Sequence, residues 1–232
     1  MSLIDERKSL GNDALMEVSS KWGQQQNIGG PVLYIPIVRE WIDNEKNVVK
    51  NIEFLKVLPS FLDINGEIQP EIRYRGIYKF ALYTTKIKFK GDFTIPDLAS
   101  LDLPEGEIKW DEAFILFGVS DMIGIRDNIK VKWNGEANEF SPGLKSKDIF
   151  ESGVSSLVKV KSDEKNTFEF DLNIKGSEEI TFLPLGKETT VMLKSKWGEP
   201  SFIGGFLPEE RNVTKDNFEA KWKVFDLNRN YP

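Results

Sequence analysis

The hydrophobic pattern of the chain changes period once, and early. Over residues 5–22, Leu15, Val18 and Trp22 recur at i, i+3 and i+7, with Leu10 and Ala14 near the same face. That spacing predicts an amphipathic α-helix, and Gly23 follows it as a stop. Beyond Gly23 the period is two. Ile87 and Phe89 alternate with Lys86, Lys88 and Lys90, and Ile129, Val131 and Trp133 with Lys130 and Lys132. Phe168, Phe170, Leu172 and Ile174 alternate with Glu169, Asp171 and Asn173; Phe218, Ala220, Trp222 and Val224 alternate with Glu219, Lys221 and Lys223. Strands apolar on one side only belong to antiparallel sheets with one face in a core and one in water.

Turn chemistry agrees. Asn65-Gly66 and Asn134-Gly135 lie between alternating segments and predict type I′ hairpins. Asp102 to Gly106 and Ser141-Pro142-Gly143 predict surface loops. The fold class is therefore mainly β, an antiparallel β-sandwich-like body (residues 23–232) behind an N-terminal α-helix (residues 1–22). One elongated sandwich is the simpler arrangement, and a composition break near Pro142 leaves two lobes as the alternative.

Composition removes whole classes of chemistry. With 232 residues the chain buries a core without staples. It has no cysteine and no histidine, which excludes thiol nucleophiles, disulfides, thiolate metal sites and imidazole bases. A net charge of −6 and a pI near 5.0 oppose binding to nucleic acid and to anionic lipid. The longest apolar runs, Pro31 to Val38 and Ala113 to Val119, fall far short of the ~20 residues a membrane span needs. The start, Met1 to Glu6, turns charged at once and carries no signal-peptide pattern. Taken alone, these features describe a soluble, cytoplasmic-looking chain.

The candidates for catalysis are thin. The carboxylate doublets Asp111-Glu112, Asp163-Glu164, Glu178-Glu179 and Glu209-Glu210 could serve a glycoside hydrolase only as facing pairs, and neighbours on a strand point apart. Solvated loops are the favoured reading. Asp171-Leu172-Asn173 begins like a calcium loop, but Lys175 stands at the fifth position and no glutamate at the twelfth. Ser195 and Lys196 are adjacent rather than spaced as a nucleophile and its base. Lys86, Lys88 and Lys90 read as a guard on an edge strand before they read as a site for an acidic polymer. Trp197, Phe202, Phe206, Trp222 and Tyr231 read as core residues before they read as a sugar-stacking platform.

One stretch is too punctuated for a regular element. Lys194 to Pro208 holds Trp197, Gly198, Pro200, Ser201, Phe202, Gly204, Gly205, Phe206, Leu207 and Pro208, a composition that describes one particular bend pinned by rings. This clasp resembles the Ser-x-Trp-x-x-Pro-Ser-Phe-x-Gly-x-Phe-Leu-Pro block of CreD-type inner-membrane proteins. Asn217 to Trp222, with Phe218 and Trp222, resembles the segment that follows that block. Gly30-Pro31 to Pro36 resembles the family's opening strand, Arg75-Gly76-Ile77-Tyr78 its Gly-Ile-Tyr element, Gly118 to Ile125 (with Gly124) its Gly-Ile turn, and Phe182 to Gly186 its Pro-x-Gly turn. The matches run from about Asp5 to the last residue in family order. Where some relatives carry a histidine in the clasp this chain has Glu199, so no histidine-based role carries over.

The resemblance implies a domain outside the cytoplasm, facing the periplasm from the inner membrane. A membrane helix would precede the Asp5 region and several would follow Pro232, which makes the protein's own transmembrane helices its first partners and Met1-Ser2-Leu3 an addition. The family is associated with envelope integrity and stress response. It implies no enzymatic activity, no catalytic residue, no cofactor and no metal, and leaves an envelope protein or a cell-wall component as the outside partner; nucleic acid is not one. A carbohydrate- or peptidoglycan-binding module is the alternative, with a carboxylate hydrolase behind it. Two structural expectations follow. The rings of the clasp should be mostly buried around a turn at Gly204-Gly205, and both chain ends should lie at one pole.

Overall fold

The computed structural model describes residues 3–228. Tyr231 and Pro232 lie outside them, and with Pro232 the expectation of a shared pole for the two ends. Strands take up 53% of the chain and helices 13%, so the mainly β reading holds. Helix α1 (Leu3–Trp22) leads into β1 (Gln26–Ile42), β2 (Val48–Val57), β3 (Phe61–Arg75), β4 (Tyr78–Phe93) and β5 (Glu107–Ile108). Next come β6 (Phe114–Val119), β7 (Lys130–Trp133), β8 (Glu136–Glu139), β9 (Ser141–Pro142) and β10 (Gly153–Leu157). The last strands are β11 (Asn166–Ser177), β12 (Ile180–Leu183), β13 (Glu188–Ser195), β14 (Glu210–Val213) and β15 (Phe218–Phe225).

Two sheets face each other. The narrower has the order β12-β1-β6-β10-β9, with β2 and β5 paired to β1 farther along; the wider has the order β14-β15-β13-β3-β4-β11-β7-β8. Pairing is antiparallel except β1 with β12 and β3 with β13. The alternating segments make up the wider sheet and give its inner face, where Phe89 stacks on Phe170 and meets Phe117 of the narrower sheet edge-on at 5.0 Å. The unbroken apolar runs have a different cause: β1 and β6 are buried on both faces. Leu33, Ile35, Ile115 and Phe117 point into the core between the sheets, while Val32, Tyr34, Phe114 and Leu116 form a second cluster with Phe150 and Leu185 on the far side.

Three expectations are corrected. Asn65-Gly66 is no hairpin but the middle of β3; a Cβ at Gly66 would press on Leu193, so the residue permits close packing of β13 against β3. The hairpin sits at Gly76-Ile77 instead, where Gly76 takes a φ of +59° at the first turn position and Arg75 pairs with Tyr78. A positive φ at the first position alone is the type II′ pattern. Asn134-Gly135 is a turn with both residues at positive φ, as expected. The lysines of β4 do not guard an edge, because β4 is interior to its sheet; Lys88 pairs with Glu169 at 2.9 Å and Lys86 with Asp171 at 3.7 Å across to β11. Last, Ser141-Pro142 is a short strand on β10, although exposed.

The helix lies along the β3–β4 hairpin. Tyr78 donates its hydroxyl to the Arg7 carbonyl at 3.0 Å, and Arg75 grips both oxygens of Glu17 at 2.7 and 2.8 Å. Trp22 donates to the Tyr83 carbonyl at 3.3 Å and lies near two cations, Arg73 at 4.8 Å and Lys175 at 4.6 Å. Just past the helix, Gln26 is fully buried. Its amide donates to the carbonyls of Asp121 (3.1 Å) and Lys175 (3.0 Å) and accepts from the Asp121 N–H at 3.3 Å. The joint is tight because Gly23 and Gly124 both approach the Lys175 carbonyl, where any Cβ would collide.

That joint makes a quantitative prediction. Gln26→Leu keeps the volume but takes the amide's bonds from the Lys175 carbonyl and the Asp121 N–H, at about 1–3 kcal/mol for each buried group left without a partner, while the Asp121 carbonyl keeps the Gly124 N–H at 3.3 Å. The urea midpoint should fall substantially with an unchanged slope. A midpoint equal to wild type would show that the amide is not what ties helix, β1 and β11 together.

Candidate functional site

The family-motif residues fall into four places. Gly30 and Pro31, joined by a cis peptide, mark the register shift where β1 pairs with β6. Gly76 and Tyr78 form the hairpin tip against the helix, and Gly124 belongs to the Gln26 joint. Trp197, Pro200, Ser201, Phe202, Gly204 and Phe206 converge with Phe218 and Trp222 at one end of the wider sheet. Leu207 (exposed) and Pro208 (half-buried) carry the chain from there toward β14. This last group lines a concave surface.

The clasp crosses from β13 to β14 and is held by named bonds. Trp197 donates from Nε1 to the Glu199 carbonyl at 2.8 Å, and Trp222 donates from Nε1 to the Phe206 carbonyl at 3.2 Å. Gly198 lies so close to the Lys215 carbonyl that no side chain fits there. Phe202 meets Phe218 at 5.7 Å and Trp222 at 5.6 Å, both edge-on, a favourable aromatic geometry. The bend at Gly204-Gly205 is present, with Gly204 at a φ of +105°.

The expected burial holds only in part. Trp197, Pro200, Phe202 and Phe206 are half-buried, Phe218 is buried, and Ile203 and Leu207 of the clasp are 64% and 66% exposed. The reason is what lies beneath. The clasp roofs a cavity of about 590 Å³, with Trp197 and Phe202 also packed against the core beside it. The floor is the inner face of β13 and β15, with Val191, Leu193 and Val224; β12 of the narrower sheet makes the opposite wall with Ile180 and Phe182. Sequence reasoning found the ring-bearing bend but not the space below it.

The other candidates are scattered. Asp111-Glu112 are exposed in a 3-10 helix and Asp163-Glu164 in a loop, and Glu210 pairs with Lys221 at 3.2 Å. Glu178 accepts the Ala81 N–H at 3.1 Å, and Glu179 accepts the Thr181 hydroxyl at 2.9 Å, so that doublet ties β4 to the turn before β12. Asp171 lies within β11 facing Lys86 and Lys88. Ser195 points inward at the cavity wall, while Lys196 is exposed.

A polar cluster escaped the sequence reading altogether, because its members are far apart along the chain. Tyr34, buried in the far-side apolar cluster, donates its hydroxyl to Asp148 at 2.7 Å; Ser146 donates to the same carboxylate at 2.7 Å, and Lys56 pairs with it. Burial, reinforced by the hydrogen bond and the charge of Asp148, pushes the Tyr34 hydroxyl well above its ordinary value. For Asp148, desolvation opposes ionisation, but the Lys56 ammonium and the two hydroxyls outweigh it and hold the carboxyl well below the usual range. The cluster pins the segment around residue 148 over β1 and β2.

The family model described as inner membrane protein CreD matches residues 1–232. The inner membrane protein CreD of Escherichia coli (strain K12) is 27% identical over 228 residues, covering 95% of this chain and 50% of that protein. This chain belongs to the CreD family of inner membrane proteins and spans about half the length of that relative. No helix among the described residues is long and apolar enough to cross a membrane.

Two outcomes follow. Phe202→Ala should cost about half of the ~3–5 kcal/mol that truncating a fully buried ring costs, since Phe202 is half-buried. Differential scanning calorimetry should show a fall of about 5 °C; an unchanged midpoint would mean that the ring does not hold the clasp. Asp148 has a depressed pKa, so its contribution to stability is fully present above the ordinary carboxylate value near ~4 and is lost as pH falls below it. Wild type should therefore melt above Asp148→Asn at pH 7, with the gap closing as pH is lowered from about 4. A gap that stays constant into acid would remove Asp148 from the account.

Proposed function

We propose that this CreD-family chain is a non-enzymatic module that faces the periplasm beside the inner membrane. It serves envelope integrity and the response to cell-wall stress by binding an outside partner, an envelope protein or a cell-wall component. The observation that carries the reading is the gathering of the clasp motif around one apolar cavity: Trp197, Phe202, Phe206 and Trp222 half-buried at its mouth are a binding surface in waiting. The carboxylate doublets support the non-enzymatic part, since they lie at four separate places: a 3-10 helix, a loop, the turn before β12 and the start of β14. The helix supports the orientation. Its start runs toward the β3–β4 tip, where Tyr74 and Ile77 are 70% and 81% exposed, which suits an end that meets the membrane interface.

The orientation is testable because the chain has no cysteine of its own. Lys147→Cys, at an exposed position, introduces its single thiol. In spheroplasts carrying the full-length protein, a membrane-impermeant maleimide should label this variant without lysis, against the unsubstituted protein as control. Labelling only after lysis would place the domain in the cytoplasm.

A further inference from the structure

The cavity under the clasp is chemically one-sided. The chain carries 31 lysines and arginines, yet none is among the described residues that line this space. Its charged lining is all acidic: Glu178, Glu179 and Glu199. The rest is apolar over floor and walls, apart from small uncharged groups. One of these is Ser195, whose Oγ is buried, has no hydrogen-bond partner in the structure, and sits on the inward face of β13 beyond Leu193. A hydroxyl left unpaired in an apolar wall is destabilising, and it is a donor and acceptor ready for an entering group.

From these features we infer that the clasp cavity binds a single-chain amphiphile whose head is neutral or cationic. The volume, about 590 Å³, lies within the ~300–1,000 Å³ of sites that enclose small molecules. An alkyl tail matches a floor of Val191, Leu193 and Val224, whose burial against it is driven by loss of water contact. The three carboxylates favour a cation near them and oppose an anion; Glu179 is half-buried while Glu178 and Glu199 are exposed, so the preference weakens with added salt. A sugar fits less well, because Phe202 presents its faces and edges to Phe218 and Trp222 and leaves no flat open ring pair for stacking. The inference rests on the clasp cavity being the recognition site of this domain, but not on which side of the membrane the domain faces.

The test is calorimetric titration of this chain, below the micelle concentration, with one tail and three heads: dodecyltrimethylammonium, dodecyl maltoside and dodecyl sulfate. The expected result is saturable one-to-one binding of the first two, with the sulfate at least tenfold weaker. Shortening the trimethylammonium tail should weaken binding about fourfold per methylene removed. Leu193→Trp, which fills the cavity, should abolish binding; Val191→Phe is the milder second variant should the first fail to fold. Glu179→Gln with Glu199→Gln, which leaves Glu178 in place, should narrow the gap between the ammonium and the sulfate, and a gap that does not move would overturn the inference. Absence of saturable binding, sulfate binding as tight as the ammonium, or undiminished binding by a folded cavity-filling variant would each overturn the inference. With Lys147→Cys labelled from outside, such a failure would remove the ligand class and leave the orientation standing.

Discussion

Two sheets of unequal width cannot cover each other. The wider sheet is eight strands across, while the narrower has a five-strand path that ends at β12. The inner faces of β13 and β15, with Val191, Leu193 and Val224, extend past that edge and would meet water. Exposed apolar surface of that kind is unfavourable in proportion to its area. The clasp answers this constraint. It folds back over the overhang, tied by the indole N–H groups of Trp197 and Trp222, and leaves an apolar space beside the rings that pack on the core. The same mismatch therefore explains the unusual composition of the clasp and the cavity on which the functional proposals rest.

At the neighbouring corner a different interaction fixes the helix. A primary amide buried without partners would be costly, and Gln26 avoids that cost by bonding to β11 and to the turn at Asp121. Gly23 and Gly124 are what let three backbone segments come close enough for those bonds. Arg75, Tyr78 and Trp22 then hold the rest of the helix along the hairpin. Gln25, Tyr83 and Glu179 line the cavity, while Gln26 and the Tyr83 carbonyl hold the helix end, so the joint and the binding surface are contiguous.

The fold class was legible because alternation reports a one-sided face directly, and the strands with the clearest alternation are those of the wider sheet. The identical dipeptides at Asn65 and Asn134 show the limit. Both sit between alternating runs, yet only the second turns, since the first lies beneath Leu193 in a strand fifteen residues long. The lysines of β4 mark the same limit. Alternating cations suit an exposed edge and an interior strand equally, and the deciding fact, Glu169 and Asp171 on β11, lies some eighty residues away. In the clasp, the rings and glycines announced a pinned bend. Whether the bend closes on a core or on a space depends on how far the opposite sheet reaches, which no local pattern encodes. The Tyr34–Lys56–Asp148 cluster was invisible for a similar reason, being assembled from three distant segments.

The central claim is that the clasp is a roof over a cavity that touches the core through Trp197 and Phe202 without being sealed into it. Native-state amide hydrogen exchange tests it directly, because a roof opens by itself while core strands exchange only with larger unfolding. The account predicts that amides of residues 199–207 exchange orders of magnitude faster than those of β13 and β15 that flank them. Protection across the clasp equal to that of β13 and β15 would contradict it.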